Sequence, residues 1–429
     1  MKVYIETYGC ALNRADEALI REILEEHGYE IVDSIEEANA VIILTCIVRR
    51  DTELRMCKRL EELRKVVSEG KTLIVGGCMA KALPSTVLRI VPQAKLLTPQ
   101  AIDKVVEVIR CSTRFADGDR KEFERVPSYV YGVRAVIAVA EGCLDECAFC
   151  IVRRARPKLS SARIEKVVES VKRALERGAI EIEITAQDLA VYGRDIYGKF
   201  ALIELLRAIL SIDRDFLLRI GQMNPKYLAS YLDELIDILR DKRVYKHLHI
   251  PLQSASNRVL EAMNRGHRVE EFIEIVKELR AKIEGIHIAT DIIVGHPGEA
   301  EEDFIESAML VMKGFVDRVH IARYSIRPFT RAAQMPQVPE SIKKRRSSYL
   351  ESLYELVALN MHLEYVGSLA VATVTEIDES SGKAVGRLFN YIPVVIENGG
   401  RELLGKKVVC EIHDATFYDL RGVARKITS

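Results

Sequence analysis

Six of the nine cysteines in this 429-residue chain fall into two triads. Cys143, Cys147 and Cys150 form a compact C-x3-C-x2-C run within EGCLDECAFC. Cys10, Cys46 and Cys78 are dispersed, yet each closes an apolar run: VYIETYGC, AVIILTC and TLIVGGC. Three thiolates can hold an iron–sulfur cluster and leave one iron open to a ligand or substrate. A zinc knuckle is the competing reading of the compact run, but its fourth ligand is missing. The x3 spacing, the aromatic Phe149 before the last cysteine and the surrounding β/α pattern favour the cluster. For the dispersed triad the competing reading is three ordinary buried thiols, the usual fate of free cysteine. Cys57, Cys111 and Cys410 read as structural.

Both triads need elements to position them. Continuous Val/Ile/Leu runs at 3–8, 40–45 and 72–76 read as short buried strands, separated by helical patterns at 15–27, 52–69 and 84–91. This alternation implies a small doubly wound parallel sheet, an α/β unit over 1–115. All strand carboxyl ends of such a sheet share one edge, so Cys10, Cys46 and Cys78 should converge there. Residues 116–133 lose periodicity and read as a linker.

A second β/α series runs over 134–330, with strands near 135–140, 180–186, 216–221, 247–251, 286–294 and 317–324. The helices between them lie near 162–177, 200–211, 226–240, 255–263, 269–283 and 301–313. Six units make a partial (β/α)6 barrel rather than a closed eightfold one. The segments TAQDLAVYG, RIGQMNP, HIPLQSAS and TDIIVGHPGEAEEDF each follow a strand and should line the rim that carries the compact triad. Gln187, Asp188, Gln253 and Asp291 can hydrogen-bond ribose or adenine edges, and Arg219 can meet a carboxylate bidentately. Gly295, Pro297 and Gly298 permit close backbone approach to a flat ligand. A connecting helical segment occupies 331–364, and short alternating strands over 365–429 read as a small all-β barrel.

With 63 basic and 63 acidic residues, net charge points to no polyanionic partner, so only local clusters can. Those clusters are Arg49–Arg50, the Arg153–Arg154–Arg156–Lys158 run and Lys343–Lys344–Arg345–Arg346. No apolar stretch reaches the ~18 residues of a membrane span, so no membrane partner is expected. MKVYIETYGC has no signal-peptide core, which places the chain in a reducing cytoplasm where cysteines serve metals more often than disulfides.

The motifs TYGCALNRAD, LTCIVRR, GGCMA, GCLDECAFC and TDIIVGHPGE, in that order, with a C-terminal β unit, resemble the methylthiotransferase family of radical S-adenosylmethionine (AdoMet) enzymes. The resemblance covers nearly the whole chain. It implies AdoMet bound at a [4Fe–4S] cluster on Cys143, Cys147 and Cys150, and a second [4Fe–4S] cluster on Cys10, Cys46 and Cys78 that carries sulfur. It also implies a TRAM-like RNA-binding barrel, with Arg387, Phe389 and Asn390 as exposed contacts beside Arg154 and Arg156. The family divides between adenosine-37 of tRNA, in the anticodon loop, and a ribosomal-protein aspartate. GCALNRADEA, ARPKLSS and RIGQMNP resemble the branch acting on N6-threonylcarbamoyladenosine; the isopentenyladenosine branch usually has a proline soon after the triad, where this chain reads CIVRRARP. Pro157 and His296 depart from the family pattern, which has Gly and Phe there. The electron donor and the sulfur source are not legible. A non-catalytic iron–sulfur RNA-binding protein is the reading from another class.

Overall fold

The computed structural model describes residues 1–111, 113–118 and 125–428, so part of the expected linker lies outside the described residues. The first unit is an all-parallel sheet of β1 (Lys2–Thr7), β2 (Glu30–Val32), β3 (Ala40–Thr45), β4 (Thr72–Gly77), β5 (Lys95–Leu97) and β6 (Phe115–Ala116). Its helices are α1 (Ala11–Glu26), α2 (Arg50–Ser68), α3 (Cys78–Ala82), α4 (Pro84–Ile90) and α5 (Val105–Arg110). Every residue of β3 is buried, as a continuous AVIILT run requires of a central strand covered on both faces. Ile20 and Leu24 of α1 pack with α5 on one face, and Leu60 and Leu63 of α2 pack with α4 on the other. Strand order is β2-β1-β3-β4-β5-β6, so the winding reverses between β1 and β3. Ligands of doubly wound sheets bind at that reversal, and Cys10 and Cys46 follow those two strands. The strands β2, β5 and β6, of two or three residues each, are too short to show a period in sequence.

The second unit holds β7 (Val130–Tyr131), β8 (Arg134–Ala138), β9 (Ala140–Glu141), β10 (Ser160–Ser161), β11 (Glu181–Thr185), β12 (Leu217–Ile220), β13 (His247–His249), β14 (His287–Val294) and β15 (Arg318–Arg323). Its helices are α6 (Val152–Ala155), α7 (Ile164–Glu176), α8 (Leu202–Leu210), α9 (Pro225–Leu228), α10 (Leu232–Leu239), α11 (Asn257–Ala262), α12 (Val269–Lys282) and α13 (Glu301–Met312). Parallel pairs run β8-β11-β12 and β13-β14-β15, and a bridge between Leu218 and Val244 joins the two sets. Among the described residues no pairing joins β15 back to β8, so the six-stranded barrel is open on that side. The expected single helix at 226–240 is two helices, interrupted where Tyr231 turns inward to donate to the Ala190 carbonyl (3.0 Å).

The first unit covers the open side of the barrel. Leu12 and Ala15 of α1 belong to the barrel's own core, and Glu53 of α2 pairs with Arg327 just beyond β15 (2.5 Å). The helix α14 (Glu340–Leu363) then leads to a closed barrel of β16 (Leu369–Ile377), β17 (Ala384–Arg387), β18 (Pro393–Ile396), β19 (Lys407–Ala415) and β20 (Leu420–Ile427). This barrel docks at the amino-terminal ends of the larger barrel's strands. There Lys246 N donates to Phe389 O (2.8 Å), and the Tyr391 ring packs edge-on to Tyr245.

Candidate active site

One cavity of about 540 Å³ is lined by all six triad cysteines. The two triads come from different units, so their meeting needs a physical cause, and two contacts supply it. Cys10 stands at the start of α1, whose first turn enters the barrel core. Cys78 opens α3, which packs on α6, the short helix directly after Cys150. Ile151 and Ala155 of that segment are buried in the first unit's core.

Glycine makes the approaches possible at two points. Gly9 has φ +110°, and a Cβ there would lie 2.6 Å from Cys46 Cβ, so its absence lets Cys10 and Cys46 come together. Gly142, with φ +78°, turns the chain into the compact loop, where a Cβ would overlap the Lys158 carbonyl. The compact loop is then held from outside. Asp145 accepts from Asn224 Nδ2 (2.5 Å), Tyr227 OH (2.6 Å) and Lys226 Nζ (2.8 Å), while Cys150 N donates to Cys147 O (3.1 Å).

Each triad has a buried guanidinium beside one sulfur. Arg265 Nη1 donates to Cys147 Sγ (3.4 Å). Arg156 faces Cys78 while bonding Asp16 of α1 and Glu141 of β9 (2.6 Å for the latter). Burial pushes the Cys78 thiol up to about 12 despite that cation, and Cys143 also to about 12, with nearby Asp188 adding to the shift. Without metal these thiols are therefore neutral; a bound metal would displace their protons, and the Cys78 thiolate so formed would be stabilised by the adjacent Arg156 guanidinium. Cys57, Cys111 and Cys410 lie away from the cavity lining, and all nine cysteines are free.

The expected cofactor contacts divide. Gln187, Asp188, Gln253 and Asp291 line the cavity. Asp188 Oδ1 caps the turn after β11, accepting from Ala190 N (3.0 Å) and Asn224 N (2.9 Å). Its Oδ2 is buried with no protein partner, and burial raises the carboxyl to about 6. Gln187 Oε1 accepts from Gly142 N (2.6 Å), so part of this side chain holds the loop. Gln253 sits at φ +80°, a strained conformation kept by bonds to β14 on both sides. Asp291 accepts from His249 Nε2 (3.1 Å), and that contact keeps it an anion although burial opposes it.

Arg219 lines the cavity as expected; its Nη1 pairs with Glu183 and its guanidinium stacks on Tyr391 (4.7 Å), while its Nε is buried without a protein partner. One cofactor expectation is corrected. Gly295 does not line the cavity; its positive φ of +75° admits the Lys343 side chain of α14, which a Cβ would meet at 2.4 Å. Its close approach serves helix packing. His296, where the family pattern has Phe, is fully buried and packs edge-on against Phe149 and Tyr324, filling an aromatic place.

The basic clusters are corrected further. Arg156 is 2% exposed and cannot contact RNA. Lys343 and Arg346 are buried, and Arg345 and Arg346 pair with Glu301. Arg387 is largely covered, pairs with Glu376 (3.1 Å) and lies over Tyr391. Asn390 is buried and donates to Tyr365 OH (2.9 Å). Phe389 is half exposed, but its loop packs on the barrel end opposite the cysteines. Arg49, Arg50 and Arg154 are exposed. Asn224 and His249 lie in RIGQMNP and HIPLQSAS, the segments expected at the rim, though neither was singled out as a contact; Arg265 lies in no such segment, and only the fold brings it to the cavity.

A partial β/α barrel with three thiols on its carboxyl rim is the architecture of the radical AdoMet class. Residues 137–311 match the radical SAM superfamily, residues 2–98 the uncharacterized protein family UPF0004 and residues 363–424 the TRAM domain. Similar proteins include the probable threonylcarbamoyladenosine tRNA methylthiotransferase of Methanocaldococcus jannaschii, 37% identical over 98% of this chain and 96% of that one. The human threonylcarbamoyladenosine tRNA methylthiotransferase is 30% identical over 98% of this chain and 73% of its own. The radical AdoMet methyltransferase TsrM from Kitasatospora setae shares the fold, with TM-score 0.59, 14% identity, and coverage of 77% of this chain and 75% of that one. This chain belongs to the threonylcarbamoyladenosine tRNA methylthiotransferase family of radical AdoMet enzymes.

Proposed function

We propose that the protein is a cytoplasmic tRNA methylthiotransferase that places a methylthio group on C2 of the adenine in N6-threonylcarbamoyladenosine at position 37 of the anticodon loop. The observation that carries this reading is the single cavity shared by both cysteine triads. Its units are 1–115 for the dispersed triad, the linker 116–133, the barrel 134–330, the helical segment 331–364 and the RNA-binding barrel 365–429.

Cys143, Cys147 and Cys150 hold one [4Fe–4S] cluster and Cys10, Cys46 and Cys78 another. When bound, the clusters and AdoMet supply a carbon radical able to take hydrogen from an unreactive aromatic C–H, and sulfur for the new bond. The protein's part is placement. Asn224, Lys226 and Tyr227 fix the compact loop through Asp145, and Arg265 and Arg156 set positive charge beside the sulfurs. The free Oδ2 of Asp188 awaits a donor such as a ribose hydroxyl or an amino group. Gln253 and Asp291 offer further polar edges in the same cavity. Depth matters as well, because a target base must leave its loop to reach this site, which an unpaired anticodon-loop base can do.

Anaerobic turnover with tRNA bearing N6-threonylcarbamoyladenosine, followed by mass spectrometry of the nucleosides, tests this. A methylthio product supports it. Product from an isopentenyladenosine substrate or a ribosomal protein instead would reassign the substrate. Failure to form 5′-deoxyadenosine after reduction with AdoMet would leave a non-catalytic iron–sulfur RNA-binding protein.

A further inference from the structure

Phe329 is 70% exposed, more than any other large apolar side chain among the described residues. Its backbone lies at φ +66°, where bulky residues are rarely found and where they persist only if their surroundings enforce it. The enforcement is visible on both sides. Thr330 bonds back to Arg327 O (2.8 Å from Oγ1), and Arg327 is anchored to Glu53 of the first unit (2.5 Å). Ala332 N donates to Ala148 O (2.9 Å), inside the compact cysteine loop. The strained turn is thus pinned between the two units, and what it presents outward is one aromatic ring. No core cluster includes that ring, so folding does not account for it.

The ring is not bare. The Arg154 guanidinium lies 4.0 Å from its centroid, held by Nε donating to the Ala82 carbonyl (3.3 Å) at the end of α3. Val152 and Arg153, the two residues before Arg154, line the cavity. Arg50 N bonds Ser325 Oγ on the same loop (3.4 Å), which brings exposed Arg49 and Arg50 to this margin, although Arg50 also pairs with Glu53. On a chain of zero net charge, the surface beside the cavity-lining Val48, Val152 and Arg153 therefore combines an aromatic face with several guanidinium groups. That combination suits single-stranded nucleic acid: any base stacks on an aromatic ring, and cations meet the phosphates between bases.

We propose that Phe329, backed by Arg154, is a stacking platform for an unpaired nucleobase flanking the one that enters the cavity. This rests on the tRNA reading above. It assigns the strained loop after β15 to substrate positioning, and it makes the larger barrel's rim a contact for the anticodon loop in its own right. The stack holds the neighbour of the target base while the target is turned inward.

The test uses full-length reconstituted protein and an anticodon stem-loop RNA carrying fluorescent 2-aminopurine next to the target adenosine. Wild type should quench the fluorophore on binding. Phe329→Ala should bind about 5- to 150-fold more weakly, the loss expected for one base–aromatic stack, and should not quench. Phe329→Trp should retain both, and unchanged iron content and thermal midpoint establish that each variant is folded. On RNA with an abasic site at that position, Phe329→Ala should cost nothing further. Arg154→Ala should reduce the slope of log affinity against log salt by about one. Wild-type affinity in Phe329→Ala, or an equal loss on abasic RNA, overturns the platform alone. Unchanged RNA binding with slower reduction by a protein electron donor would make the loop a protein contact, which also overturns it. If wild type does not bind the RNA at all, the tRNA reading itself fails and the platform with it.

Discussion

Arg156→Ala should destabilise the protein and remove iron from the dispersed triad, without touching RNA affinity directly. The guanidinium is 1% exposed and sits between two carboxylates, Asp16 from the first unit (5% exposed) and Glu141 from the barrel (2% exposed). It also faces the buried Cys78 thiol. Removing one partner of a buried ion pair costs about 3–5 kcal/mol, because charge remains where water cannot reach it. Here one cation serves two anions, so the two directions of perturbation differ. Asp16→Asn or Glu141→Gln leaves the guanidinium with one carboxylate and should cost less than Arg156→Ala, while Arg156→Ala strips both acids of the cation they share. Chemical denaturation of the metal-free protein reads the stability order, and iron and sulfide analysis after reconstitution reads the second effect. Iron should fall toward the content of one cluster. The reasoning is refuted if Arg156→Ala costs less than either acid variant, or if it keeps full iron while weakening RNA binding, the behaviour of a surface phosphate contact.

Cys10→Ala, Cys46→Ala and Cys78→Ala together should halve reconstituted iron, from about eight to about four per chain; retention of eight would put the second cluster elsewhere. Gly142→Ala forces a Cβ onto the Lys158 carbonyl at a left-handed φ, so the compact loop should lose iron and the thermal midpoint should fall; full iron loading would contradict the turn's role. The buried pair His247 and His287 (Nδ1 to Nδ1, 3.0 Å) stays neutral, since burial and neighbouring cations hold His287 near 3 and His247 well below its ordinary value. In the unfolded chain both bind protons near pH 6.5, so their contribution is complete above that pH and is lost as pH falls from 6.5 toward 3. The loss is about 1.4 kcal/mol per histidine per pH unit. Denaturation midpoints at pH 7.5 and 5.5 check this, and a His247→Gln, His287→Gln double variant should show a shallower decline; an equal decline would place the acid sensitivity elsewhere.

Much of this architecture was legible because its signals are local. The AVIILT run gave β3 at residues 40–45, and the helical segment expected over 331–364 holds α14 at 340–363. The convergence of Cys10, Cys46 and Cys78 followed from one topological rule, that parallel strands end on a common edge. What failed was the reading of charge. Arg156, Lys343 and Arg346 look identical in sequence to solvated cations, yet each is buried, and Arg156 and Arg346 are paired with acids distant along the chain. A positive residue declares itself structural only through its partners, and those come from the fold. Gly295 failed for a related reason: a glycine marks a close approach but not what approaches. Arg265 was missed because a single polar residue in a loop carries no period; Asn224 lies in RIGQMNP, expected at the rim, but its Asp145 partner comes only from the fold. Phe329 has no sequence signal either; its meaning lies in a φ of +66° and an exposed ring.

The central claim is that both triads act on one substrate across one cavity. Its most direct measurement is paired product analysis of the variant lacking Cys10, Cys46 and Cys78, incubated anaerobically with reductant, AdoMet and tRNA bearing N6-threonylcarbamoyladenosine. The expected result is 5′-deoxyadenosine without methylthiolated nucleoside, against both products from wild type. Methylthiolated nucleoside from the variant would contradict the claim.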